Sequence, residues 1–169
     1  VFHFADIATS VSNKDRKKIE KQFKKKNKIL PNGINLKKFK KRKEIKDDYI
    51  IYTGSYLYRP NKQAIDLLNQ NIMPNLVKKF PKIKLVLTGG GYKKTFPWLI
   101  NKNIVSKDRL YNLIYFSKCM CIPLKFGYGT RIKIIEALSL GAIVISSKKG
   151  IEGIQIRKKN PPFIISENE

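Results

Sequence analysis

Residues 123–141 read PLKFGYGTRIKIIEALSLG, a glycine-punctuated turn that runs straight into a helical pattern. An apolar run, CMCI at 119–122, precedes it, and a second, AIVIS at 142–146, follows. Strand, turn, helix and strand within so few residues form the unit of a parallel sheet, because parallel strands need a crossover connection. The helix start breaks a local rule. Arg131 and Lys133 lie in its first turn, where the dipole and the unpaired N–H groups favour negative charge. The economical reason is a shared anion, such as a phosphate held by backbone N–H groups and capped by the two cations. One turn on, Glu136 lies among Ile132, Ile134, Ile135, Ala137, Leu138 and Leu140. A helix apolar nearly all round is predicted to be buried, and a carboxylate there is expensive unless something uses it. The plainer alternative is a Lys133–Glu136 pair across one turn, worth only tenths of a kcal/mol.

At 169 residues the chain suits one domain able to bury roughly two-thirds of its unfolded surface. Its apolar content, 42%, is that of a globular chain and argues against disorder. Nothing in the sequence is long and apolar enough to span a bilayer or reads as a signal peptide. The chain opens on Val1, so a fragment of a longer protein is expected. Cys119 and Cys121 point to one side of a strand, where neighbours seldom form a disulfide. With no His or further Cys beside them for zinc, they read as core residues of a reducing compartment. His3 reads as structural.

Outward from the quoted stretch, short apolar runs alternate with helical segments, which predicts an α/β chain with a doubly wound parallel sheet. Strands are expected at 49–53, 83–88, 103–105, 119–122 and 142–146, with a sixth at 163–165. Helices are expected from Asn61, over 107–117 and over 131–140, with Pro74 kinking or splitting the first. Ahead of them lie a strand at 5–11, a helix over 13–26 capped by Ser12 and a short strand at 29–30 closed by Pro31-Asn32-Gly33. Residues 37–48, charged and poor in apolar side chains, read as a connector. Ligands of doubly wound sheets sit at the carboxyl ends of the strands, which singles out Gly54, Gly89 and residues 127–130.

Four segments in order resemble one family. They are ILPNGINLKKF at 29–39, IIYTGSYLYRPNKQAIDLL at 50–68, KLVLTGGGY at 84–92 and GYGTRIKIIEALSLGAIVISSKKGIEGI at 127–154. Together they look like retaining, nucleotide-sugar-dependent glycosyltransferases of the GT-B fold, the group 1 family. The resemblance implies a Rossmann-like sheet forming the C-terminal, donor-binding half of a GT-B fold over residues 48–169. Residues 1–47 would be the tail of the N-terminal domain plus the interdomain connector, and the parent chain would extend beyond both ends.

What the resemblance implies for the site is specific. Transfer proceeds with retention and without a metal or other cofactor, from a UDP- or GDP-linked sugar to a glycan or lipid-linked acceptor. Arg131 and Lys133 are expected at the diphosphate as the catalytic pair. Gly54, Ser55, Gly89, Gly90, Val105, Gly127, Tyr128, Gly129, Thr130 and Glu136 are expected to line the donor. The family brackets this turn with Glu-x7-Glu. Here Glu136 fills the second, ribose-binding position and Tyr128 stands at the first. The family's phosphate clamp is an Arg after the first glycine and a Lys six residues on, and here those positions hold Ser55 and Asn61. Arg59 and Lys62 lie nearby and read as surface. Two readings stand for Gly89-Gly90-Gly91: close approach to a ligand, or a tight turn with none. Glu152-Gly153 matches the family's closing pair and equally suits a helix cap.

Two other functions compete: a GT-B relative that epimerises or hydrolyses a nucleotide sugar, and a basic module for nucleic acid or membrane. The chain carries 36 Lys and Arg against 12 Asp and Glu, a net charge of +24. These lysines are spread over many segments without a nucleic-acid motif or interleaved aromatics, so no specific nucleic acid is expected. Such a surface does suit peripheral attachment to an anionic membrane, with a cytoplasmic location at its inner face. Binding to duplex DNA or anionic vesicles should therefore collapse as salt rises and show no sequence preference in filter-binding or sedimentation assays. A salt-resistant, sequence-selective complex would favour the basic-module reading.

Overall fold

The structure is a computed structural model that describes residues 5–24, 26–34, 48–154 and 163–166. β1 (Ala8–Ser10) and β2 (Asn27–Ile29) pair in parallel as a two-stranded sheet, joined by α1 (Asn13–Phe23). Ser12 caps α1 as expected, accepting the Asp15 N–H at 3.2 Å. The helix ends before residue 26 because Lys24 turns left-handed, φ 52°. Most of the charged connector, and His3, lie outside the described residues.

β3 (Tyr49–Thr53) is buried along its whole length. Its YIIYT sequence supplies aromatic and β-branched side chains to both faces, the composition of a strand covered on each side. One helical rod follows. α2 (Arg59–Leu67) carries Pro60 in its first turn, where the missing N–H costs nothing. A π-turn over Leu68–Ile72 leads into α3 (Met73–Lys79), with Pro74 at its start. The expected break at Pro74 thus takes the form of a widened turn, which accommodates a residue that cannot donate. Asn69, fully buried there, is satisfied on both sides. Its Nδ2 donates to the Ile65 carbonyl at 3.1 Å, and its Oδ1 accepts from Trp98 Nε1 at 3.3 Å.

The chain continues through β4 (Lys84–Thr88), β5 (Leu99–Asn101), α4 (Lys107–Phe116), β6 (Cys119–Ile122), α5 (Ile132–Ser139), β7 (Val144–Ser147) and β8 (Phe163–Ser166). The main sheet has the order β5-β4-β3-β6-β7-β8, and every pairing is parallel. From β3 the chain builds outward to β5, then returns across β3 to lay down β6, β7 and β8. This is the doubly wound α/β arrangement. The direction reverses between β3 and β6, so the loops leaving those two strands diverge and open a crevice at their carboxyl ends. Ile51, Tyr52, Leu85, Met120, Ile122 and Val144 fill the core between the layers. Burial pushes the Cys121 thiol up to about 12, in keeping with an unreactive core residue.

Two expectations are corrected. The third strand is Leu99–Asn101, not residues 103–105: Asn103 is left-handed at φ 51° and Ile104 is exposed. The half-buried edge strand carries a weaker apolar signal than the Ile-Val pair that follows it. α5 is also less enclosed than an all-round apolar helix implies. Ile134 and Ala137 are buried, but Ile132 is exposed.

The glycine turns that follow β3 and β4 pass at contact distance. A Cβ placed on Gly89 would lie 2.4 Å from the Gly54 carbonyl carbon, and the Gly89 backbone has φ 115°. Gly129 has φ 77° with nothing near its missing side chain. Gly129→Ala should therefore cost only backbone strain, about 1–2 kcal/mol. Gly89→Ala adds a backbone collision to such strain and should cost clearly more in urea unfolding. Equal costs would mean that the two loops part easily.

Candidate functional site

The crevice between β3 and β6 is built by the two loops and the helix that the opening stretch encodes. Gly127 and Gly129 both hold left-handed backbone, φ 127° and 77°, and swing the chain out of β6 and back toward the sheet. Arg131 then caps α5. Its Nη1 donates to the carbonyls of Tyr128, at 2.6 Å, and of Gly129, so the guanidinium folds back over its own loop. Among the described residues, its buried Nη2 has no hydrogen-bond partner, and neither does the Thr130 hydroxyl beside it. Buried polar atoms are almost always paired, so two orphans in adjacent residues call for an explanation.

Lys133 reaches across the reversal point of the sheet. Its Nζ donates to the Thr53 carbonyl at the end of β3, 80 residues away in sequence. It also lies 3.2 Å from Asn61 Oδ1 and 4.6 Å from the centre of the Tyr52 ring. A Cβ on Gly54 would come within 2.6 Å of Asn61 Nδ2 and 2.9 Å of this ammonium, at a backbone φ of 142° that favours glycine. Burial, reinforced by the neighbouring Arg131 guanidinium, brings the Lys133 amine down to about 8. The plain Lys133–Glu136 pair is thus not what forms. Glu136, half-buried one turn on, instead accepts the Tyr111 hydroxyl of α4 at 3.1 Å.

The remaining candidates ring this centre. Gly54 N–H donates to the Thr88 carbonyl at 2.9 Å, and the Gly90 carbonyl accepts the Tyr56 N–H at 3.0 Å, so the first two glycine loops are stitched together. The missing side chain of Gly89 makes room for Gly54, which answers the close-approach reading with backbone. Ser55 accepts the Asn61 amide on its carbonyl and the Leu57 N–H on its hydroxyl. Val105 lies half-buried just before Ser106, the cap of α4, while neighbouring Ile104 sits over Gly90. Tyr128 is 85% exposed, with Lys18 and Lys149 each within 6 Å of its ring centre. Arg59 lies over Phe126 and Lys62 over Tyr56, each on an aromatic partner. Among the described residues no group of three or more His, Cys, Asp or Glu is placed to hold a metal, and no helix is long and apolar enough to cross a membrane.

Sequence reasoning left out Tyr52 and did not foresee what Asn61 and Glu152 contact. Asn61 and Tyr52 hold Lys133 through contacts made only in the fold. Glu152 ties the flanking turn to α1, accepting from Lys149 at 2.6 Å and from Lys14. Those two hydrogen bonds hold its carboxyl down at about 2. Gly153 sits between them, where a Cβ would meet Thr130 Oγ1 at 3.1 Å and the Ser12 side chain at 3.5 Å. A groove of about 1240 Å³ lies elsewhere, over the sheet face of Ile50, Cys119 and Ile145, and neither the glycine loops nor Lys133 line it.

Comparison with known proteins bears on this arrangement. No curated protein matches the chain by sequence. Among solved structures, TarM superposes with a TM-score of 0.71 at 16% identity, over 96% of this chain and 33% of TarM. The pneumococcal O-GlcNAc transferase GtfA, solved in complex with UDP and GlcNAc, superposes with a TM-score of 0.61 at 15% identity, over 85% of this chain and 30% of GtfA. At such identities the likeness is one of fold, and the chain spans about a third of each protein's length. The family model for glycosyl transferases group 1 matches residues 47–168. The chain belongs to that family.

Proposed function

We propose that residues 48–169 bind a nucleoside-diphosphate sugar, UDP- or GDP-linked, at the crevice between β3 and β6. The chain then serves as the donor half of a retaining, metal-independent glycosyl transfer to a glycan or lipid-linked acceptor. Residues 1–47 belong with the partner half of the enzyme and its connector. The observation that carries the reading is the buried Lys133 ammonium at the end of β3, with the Arg131 guanidinium near enough to disfavour its charge and one guanidinium nitrogen, Nη2, buried without a partner among the described residues. Two neighbouring cations seated on neutral groups make a site that a diphosphate completes. GtfA, of similar fold, is a transferase with UDP bound, which adds support.

The chemistry follows from charge. Breaking the bond between sugar and diphosphate leaves negative charge on the departing oxygens. Fixed cations and N–H dipoles in a dehydrated crevice stabilise that charge without reorganising, the task a divalent metal performs elsewhere. Glu136 suits ribose hydroxyls as an acceptor, with Tyr111 fixing one of its oxygens. Tyr128, standing where the family places a carboxylate, offers a ring face and a hydroxyl to the sugar. The wide basic surface suits peripheral contact with an anionic membrane, where lipid-linked acceptors reside.

Calorimetry of nucleotide binding tests the reading. Nucleoside diphosphate should bind more tightly than monophosphate. Lys133→Ala should erase most of that difference. Glu136→Ala should cost about 1–3 kcal/mol for ribose-bearing ligands while sparing pyrophosphate. If no nucleotide binds, the donor-site reading fails.

A second test uses the ligand-free chain. Between about pH 8 and the ordinary lysine value of 10.5, the folded state holds fewer protons on Lys133 than the unfolded state, so stability from this group rises with pH. Lys133→Met should raise the midpoint of thermal unfolding at pH 7 and lose that advantage as pH approaches 10. A variant less stable than wild type at pH 7 would show that the ammonium is a structural tie and not a charge awaiting an anion.

A further inference from the structure

Asn61 occupies the position at which the family pattern implies a second phosphate-binding lysine, and the structure gives it different work. It lies in the first turn of α2, is 8% exposed, and uses its whole amide. Nδ2 donates to the Ser55 carbonyl at 3.0 Å. Because a carbonyl can only accept, this bond fixes which way the amide points. Oδ1 therefore faces the crevice, where it accepts the Tyr52 hydroxyl at 2.8 Å and lies 3.2 Å from Lys133 Nζ. Tyr52 is fully buried and burial drives its phenol well above the ordinary value, so it stays a neutral donor.

We infer that Asn61, latched by Tyr52, is a positioning residue that fixes the Lys133 ammonium for the donor's phosphates without neutralising it. The inference rests on the donor-site reading above. Every group that seats Lys133 is an uncharged acceptor: the Thr53 carbonyl, the Asn61 carbonyl oxygen and the face of the Tyr52 ring. A lysine at position 61 would repel the ammonium at this distance. A carboxylate would cancel its charge and repel the incoming phosphates. An amide does neither. One lysine delivered from α5 and held by a neutral latch thus replaces a lysine carried by α2 itself, which accounts for the departure from the family pattern at Ser55 and Asn61. The titratable groups facing Lys133 are Tyr52 and Arg131.

The experiment is calorimetric binding of UDP, GDP and pyrophosphate across pH 6–10, on wild type, Asn61→Asp, Asn61→Ala, Tyr52→Phe, Lys133→Ala and the double variant Asn61→Ala with Lys133→Ala. Asn61→Asp, nearly isosteric, should weaken diphosphates on the order of tenfold. It should also move the loss of affinity at high pH to still higher pH, because the carboxylate stabilises the charged amine. Tyr52→Phe removes one hydroxyl from a packed ring and should cost about two- to tenfold. Asn61→Ala should weaken binding in wild type and have no further effect once Lys133 is alanine. Should Asn61→Ala fail to fold, Asn61→Asp and Tyr52→Phe carry the same test. If wild type binds and Lys133→Ala weakens it, while Asn61→Asp and Tyr52→Phe leave affinity and pH profile unchanged, this inference falls and the donor-site reading stands. If wild type binds nothing, the donor-site reading falls with it.

Discussion

The ammonium of Lys133, set against the end of β3, is the contact on which the arrangement of the crevice depends. It reaches from α5, on the β6–β8 side, to Thr53 at the end of the central strand, across the point where the winding of the sheet reverses. Everything around it is cut to that purpose. Gly54 is bare because a side chain there would occupy the ammonium's seat, and Gly89 is bare because Gly54 passes against it. Tyr52 turns its ring under the charge and its hydroxyl toward Asn61. A desolvated cation is costly to hold, and the fully buried β3 supplies the stability that offsets it. Strain of this kind persists where the surrounding structure over-determines it, and it clusters where ligands bind.

Much of the architecture was legible because the central strands are covered on both faces and read as unbroken apolar runs. β3 and β6 stand where YIIYT and CMCI place them, β4 begins one residue inside the expected 83–88, and β7, at Val144–Ser147, begins two residues later than the expected 142–146. The pattern failed at the margins. β5 is a half-buried edge strand, so its signal was weaker than that of the exposed Ile104. The end of α1 was set by a left-handed lysine, where glycine is the usual mark.

At the site, the violation of the helix-dipole rule was readable because it is local: Arg131 and Lys133 lie within one turn of a glycine loop. What the cations contact was not readable. Lys133 meets Asn61 across 72 residues and Thr53 across 80. Glu152 meets Lys14 across 138. No periodicity encodes such distances; they exist only once the sheet has closed. The family pattern is kept at Glu136 and departed from at Tyr128, Ser55 and Asn61. At Asn61 the family's charge is missing, and the Lys133 ammonium of α5 lies 3.2 Å from the amide oxygen that stands there.

The same distinction between local and distributed decides what the +24 net charge does. An exposed lysine one Debye length, about 8 Å, from a bound anion contributes roughly 0.2 kcal/mol once water and salt have screened it. Many such lysines add up to attraction, but the sum hardly changes if the anion shifts by a few ångströms, and it fades as salt rises. A partly dehydrated ammonium in direct contact interacts at about 4 kcal/mol with an effective dielectric of 20. About a third of that energy is lost when the pair separates by two ångströms. Dispersed lysines of this kind attract anions without choosing among them. Under the donor-site proposal, choice belongs to the few groups whose freedom the fold has removed: one ammonium on three neutral acceptors, one guanidinium folded over its own loop, and a carboxylate that accepts a tyrosine hydroxyl from the neighbouring helix.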